Sequence, residues 1–150
     1  MTIKKKVGQL VKKYGTNNPF ELAEALGIEV VLEPLGDSLG YFSRFNRTSI
    51  IHINELLSYQ RQVTTCAHEL GHVVLHSDTN AAFLKANTYF QTSIIEQEAN
   101  DFMLELLFNQ GGEDIVTIRE ITEQYGIPEQ LLYKNFLHIK RTYVPEREVK

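Results

Sequence analysis

The stretch Thr64-Thr65-Cys66-Ala67-His68-Glu69-Leu70-Gly71-His72-Val73-Val74-Leu75-His76 sets two histidines four residues apart within an apolar, helix-spaced run. On a helix each residue advances about 100°, so His72 lies only about 40° round from His68 and one turn along. Two imidazoles then converge on one point. That spacing suits Zn–N bonds of about 2.0–2.1 Å and leaves the other positions of a tetrahedral ion for a third ligand and water. Glu69, about 100° from His68, stands at the shoulder of such a site, where it can take a proton from bound water. Val63, Cys66, Ala67, Leu70 and Val74 form the apolar stripe of this helix. Both histidines fall nearly opposite it, facing a different layer and an expected cleft. A His-Glu-x-x-His match in a helical context is far more specific than the bare pattern.

His76 continues the series, so a His72/His76 pair is an alternative ligand set. Val73 would then occupy the base position, and with no proton acceptor there the His68/His72 pair is preferred. His76 is left a structural or supporting role. The third ligand is expected from the next strong helical pattern, Ile94 to Phe108, which offers Glu96 and Glu98. Its apolar stripe is Ile95, Ala99, Phe102, Met103, Leu106 and Leu107, and Glu96 lies nearer the centre of that stripe than Glu98. A buried carboxylate needs a partner, and a cation is the best one. Asn100, one turn after Glu96, can hydrogen-bond a ligand histidine and fix its ring.

Outward from these helices, Ile3, Val7, Leu10, Val11 and Tyr14 recur at helical spacing and Gly15 supplies a stop. Asn18-Pro19 opens a short helix that Gly27 ends. Three strand-like runs follow at 28–33, 39–43 and 48–54, spaced as an antiparallel meander. The helical pattern of the active stretch begins near Leu56, a looser segment runs from Ser77 to Ser93, and Gly111 and Gly112 mark a hinge. Two short helical patterns then flank Gly126-Ile127-Pro128, and the last ten residues are polar enough to fray. The expected class is α+β. A domain over 1–110 carries the site, and 111–150 is a helical extension packed on the same domain.

The chain has 150 residues, 43% hydrophobic and 23% charged, which is the composition of an ordinary globular domain. The basic start MTIKKKVGQLV is followed by too short an apolar stretch, broken at Gln9 and Lys12, for an export signal. No apolar run is long enough to span a bilayer, so no membrane is expected. Cys66 is the only cysteine, which fits a small buried side chain in a reducing, cytoplasmic compartment. A formal charge of −4 gives no general attraction to nucleic acid. Lys4, Lys5, Lys6, Lys12 and Lys13, with no acid before Glu21, read as the solvated face of the first helix.

HELGHVVLH followed by IEQEANDFMLELL resembles the ImmA/IrrE family of metallopeptidases, and GTNNPFELAEALGIEV and TSIIHIN extend the resemblance over most of the chain. The resemblance implies a reduced zincin fold of the gluzincin type, one Zn2+ held by His68, His72 and Glu96, and Glu69 as general base. It also implies a prophage or mobile-element setting and a helix-turn-helix repressor as the protein substrate. Two departures stand out. Met103 follows Phe102 where the family usually has Ala, and Phe108 and Asn109 close a helix that usually ends in Pro. They leave the four chemical residues intact and bear on the shape of the cleft.

The expected chemistry is peptide-bond hydrolysis without a covalent intermediate. Tyr89 and Tyr41 are candidates for an oxyanion donor by residue type. An edge of the small sheet is the expected seat of an extended substrate. A DNA-binding regulator is the rival reading, because IREITEQYGIPEQLLYKNF has the helix, turn and helix of a helix-turn-helix. Between Glu113 and Lys140, however, five acids face three bases, against the basic footprint of a groove reader. A second rival is an interaction protein with a closed structural zinc, for which His76 is the available fourth ligand.

Overall fold

The computed structural model describes residues 1–77, 84–85, 89–90, 93–110, 116–134 and 143–144. Thr2 accepts from the Lys5 amide to cap α1 (Ile3–Tyr14), and Gly15 ends it in the left-handed region at φ 72°. Asn18 accepts from the Phe20 and Glu21 amides ahead of α2 (Pro19–Ala25). The strands are β1 (Glu29–Glu33), β2 (Gly40–Phe45) and β3 (Thr48–Asn54). Then come α3 (Tyr59–Leu75), α4 (Ile94–Phe108), β4 (Val116–Thr117), α5 (Ile118–Tyr125), α6 (Glu129–Lys134) and β5 (Tyr143–Val144). The class is α+β, as the sequence implies.

The strand arrangement is not the meander. The sheet order is β1-β3-β2, with β1 parallel to β3 and β2 antiparallel to it. Asn46 and Arg47, both at positive φ, make the tight turn that folds β2 back onto β3. The connection from Pro34 to Leu39 carries the chain past β3, so β3 takes the central place. Ile51 and Ile53, both fully buried, accordingly lie on the most protected strand. The active helix starts at Tyr59 rather than Leu56, because Ser58 accepts from the Arg61 amide as its N-cap. Gly111 and Gly112 lie outside the described residues, as do most of the last ten. Tyr143 and Val144 pair in parallel with β4.

One buried cluster joins Val7 and Leu22 to the sheet residues Phe42, Ile51 and Ile53, to Leu70 on α3 and to Phe102 and Leu106 on α4. Ile118, Ile121, Ile127 and Leu132 of the C-terminal part belong to the same cluster. Thr64 donates to the Tyr125 carbonyl, tying α3 to the end of α5. Because sheet, α4 and α5 surround α3, its residues 63–72 are all buried, not only one stripe. Cys66 is fully buried, and burial, helped by the nearby Glu69 charge, pushes its thiol well up. Lys4, Lys5, Lys12 and Lys13 are exposed. Among the described residues no helix is long and apolar enough to cross a membrane.

Gly40 sets the distance between sheet and active helix. A Cβ there would lie 2.5 Å from the His52 carbonyl oxygen and 2.6 Å from the Thr65 methyl. Backbone cannot yield cheaply, so Gly40→Ala is expected to cost about 1–3 kcal/mol or more through overpacking. A lowered thermal midpoint checks this; an unchanged one would show that the two layers slide apart freely.

Candidate metal centre

α3 supplies His68, Glu69 and His72, and α4 supplies Glu96 and Asn100, from two helices packed against each other along most of their length. Gly71 allows the contact, since a Cβ there would already lie 3.0 Å from that of Phe102. Glu96 Oε1 is 3.0 Å from His68 Nε2, and Glu96 Oε2 is 2.7 Å from His72 Nε2. One donor atom from each of the three residues lies within 4.8 Å of the others, and among the described residues no other such group exists.

The polarity of this cluster calls for a cation. His68 Nδ1 faces the Asn100 amide oxygen at 2.9 Å and must carry the ring proton to donate to it. Nε2 of the neutral ring is then a bare lone pair facing a carboxylate oxygen, and two acceptors at 3.0 Å are held together only by a positive charge between them. Burial, against the hydrogen bond to Glu96, lowers the pKa of His68, which favours this neutral ring. A proton on the ring Nε2 can stand in for that cation: burial alone would raise the Glu96 pKa, but hydrogen bonds from His68 and His72 protonated in this way, together with their charges, outweigh it and bring the carboxyl to about 2. A divalent ion accepted by two neutral imidazoles and one carboxylate fits this donor set.

Glu69 is buried beside these donors, and neither of its carboxylate oxygens has a hydrogen-bond partner among the described residues. Burial, reinforced by the charge of Glu96, raises its pKa well above the ordinary carboxylate range. A lone buried carboxylate in this position is costly unless it meets a proton donor or a cation.

The other residues singled out from sequence separate clearly. His76 Nε2 lies 2.9 Å from Glu98 Oε1 and its ring stands 5.5 Å from that of His72, but neither His76 nor Glu98 is among the three converging donors. Tyr89 is buried edge-on against His68, ring centroids 5.9 Å apart, and burial pushes its phenol pKa up. Tyr41 is a poor oxyanion candidate, because strand alternation sends it to the opposite sheet face from Phe42. There it stacks on His52 at 4.2 Å. Phe42 is the contact missed in sequence: its ring packs on His72, centroids 5.8 Å apart. The alternation of β2 could have found it, since Gly40 and Phe42 share the buried face. On α4, Ile95 is 37% exposed although the stripe placed it inward. The expected open cleft is also more closed than the wheel implied, with His68 fully buried and His72 5% exposed.

A helix with His-Glu-x-x-His, a carboxylate returned from the following helix and a small mixed sheet beside them define a reduced zincin-like metallopeptidase. The chain belongs to the peptidase family described as the IrrE N-terminal-like domain, whose profile matches residues 23–136. It is 36% identical over 137 residues, 87% of each chain, to the "Uncharacterized immunity region protein 2" of Bacillus phage phi105. It is 35% identical over 107 residues to metallopeptidase ImmA of Bacillus subtilis (strain 168), covering 70% of this chain and 62% of that one.

Proposed function

We propose that this chain is a zinc-dependent endopeptidase, with one Zn2+ held by His68, His72 and Glu96, and that its substrate is a helix-turn-helix repressor of a phage or mobile element. The unpartnered, buried Glu69 carboxylate beside three converging acceptors carries the reading. When bound, zinc supplies Lewis-acid polarisation of the scissile carbonyl and acidifies the attacking water. Glu69 would accept the proton released by that water and deliver it to the leaving amine. Asn100 holds the His68 ring so that Nε2 points at the centre. Tyr89 walls His68 from one side and excludes water there. An extended peptide that adds as a strand to an edge of the small sheet would present its backbone to the metal centre. Residues 1–110 and 111–150 act in this reading as a catalytic domain and a packed helical extension. The immunity-region name of the phage relative supports the repressor as substrate.

The test is elemental analysis of the purified chain together with cleavage of a co-purified repressor from the neighbouring genes. One zinc per chain, with cleavage abolished by chelation and restored by zinc, is expected. A chain that takes up no zinc on titration overturns the reading. Asn100→Ala is expected to weaken zinc binding about 10–100-fold without unfolding the chain, measured by competition with a chromogenic chelator.

A further inference from the structure

The sheet face turned away from α3 carries a second set of chemical side chains. Strand alternation puts Phe42, Ile51 and Ile53 into the core and sends Tyr41, Ser43 and His52 to the other side. In the parallel register Val31 stands beside His52, so Glu33, two residues along β1, shares that outer face. His52, on the central strand, is thereby flanked on opposite diagonals by Glu33 and Ser43. Its Nδ1 lies 3.1 Å from Glu33 Oε2, and its Nε2 lies 2.9 Å from Ser43 Oγ.

These two contacts set the tautomer of the ring. An ionised carboxylate only accepts, so Nδ1 carries the proton that is donated to Glu33, and the bare Nε2 of the neutral ring accepts from the Ser43 hydroxyl. Tyr41 stacks on the same imidazole at 4.2 Å, with planes 4° apart, and steadies its orientation. A hydroxyl donating to an imidazole whose far nitrogen is held by a carboxylate has the nucleophile, base and orienting group of acyl transfer, a set recognised by geometry and not by fold. The group is not sealed off. The His52 and Glu33 side chains are 15% and 36% exposed, and Ser43 is half-buried. Phe45, two residues further along the same face and 70% exposed, gives an apolar seat beside Ser43. The amides of β3 are engaged in the ladder on both sides and are not gathered as an oxyanion cradle. The substrate class that fits is therefore a small activated ester, whose alcohol leaves with little help.

We propose that Ser43, His52 and Glu33 form a second reactive centre, independent of the metal, that hydrolyses small activated carboxylic esters through an acyl-serine. Ser43 Oγ bonds to the acyl carbon as its proton passes to His52 Nε2. The bond from that carbon to the leaving oxygen breaks, and His52 returns the proton to the alcohol. Water, giving its proton to the same nitrogen, then releases the carboxylic acid and restores Ser43. Glu33 is a positioning residue, acting through the His52 ring.

The experiment treats the full chain with a fluorophosphonate, which phosphonylates an activated serine with loss of fluoride, and locates the adduct by mass spectrometry. Labelling at Ser43 is expected, slowed about a hundredfold or more in His52→Gln. Glu33→Leu, at a partly exposed position, should also slow it, and ring nitrogen NMR should show His52 leaving the Nδ1–H form. Turnover of p-nitrophenyl acetate should fall with the labelling in each variant and be lost in Ser43→Ala. Circular dichroism shared by all variants shows that the fold is intact. Absence of a Ser43 adduct, labelling that is as fast in His52→Gln and Glu33→Leu as in wild type, or ester turnover that persists in Ser43→Ala overturns the second centre.

Discussion

Glu69→Gln is expected to keep its zinc and to lose cleavage by about 10²–10⁴-fold, the contribution of a positioned general acid–base group. The amide fills the same space but cannot take a proton from the attacking water. The same substitution has a second expected effect, on the metal-free chain. Wild-type Glu69 has a folded pKa raised above its unfolded value of 4.5 by burial and by Glu96. Its contribution therefore favours the fold fully below pH 4.5 and is lost as pH rises toward the folded value, because the buried carboxylate must ionise without a partner. Glu69→Gln removes that loss, so the metal-free variant should melt higher than wild type near neutral pH, with each kcal/mol worth about 2–4 °C. An activity-dead variant that melts lower would mean that Glu69 has a structural partner and is not held ready for chemistry. A variant that cuts as fast as wild type ends the catalytic assignment.

Most of the geometry of the candidate site was legible because it depends on short-range helical spacing. The four-residue spacing of His68 and His72 fixes their convergence whatever surrounds them, and a stripe argument was enough to choose between Glu96 and Glu98 for burial. Glu96 is 8% exposed, whereas the Glu98 side chain is 42% exposed and faces His76. Asn100 followed from the same one-turn spacing. What the sequence hid depends on long-range pairing. Strand order is decided by which edge of β3 each neighbour reaches, and the alternation of β1, β2 and β3 reads the same in a meander as in the observed mixed sheet. The contact of Phe42 with His72 follows from that pairing and was hidden with it. Helix wheels also assume one buried side. α3 is enclosed by the sheet, α4 and α5, so the face expected to line an open cleft is covered, and Ile95 near the start of α4 is left half in solvent.

Glu96→Gln tests the other half of the centre and is expected to weaken zinc binding by more than about a hundredfold, beyond the loss seen when a supporting hydrogen bond is removed. It replaces an anion by a neutral amide at the position where the two bare imidazole nitrogens meet. Glu98→Gln is the matched control. Its carboxylate pairs with His76 and is not among the three converging donors, so zinc affinity should be unchanged. Acid titration of the metal-free chains adds an independent reading. The folded pKa of Glu96, about 2, lies below its unfolded 4.5, so its contribution to stability is present above pH 4.5 and is lost as pH falls toward 2. Wild type should weaken across that window and Glu96→Gln should not, the opposite pH sense to the Glu69 effect. Two carboxylates in one pocket with opposite linkages are what a ligand and a base require: one stays ionised to hold a cation, and the other is free to exchange its proton. Loss of zinc in Glu98→Gln with retention in Glu96→Gln would transfer the third ligand to the His76 side and undo this division of roles.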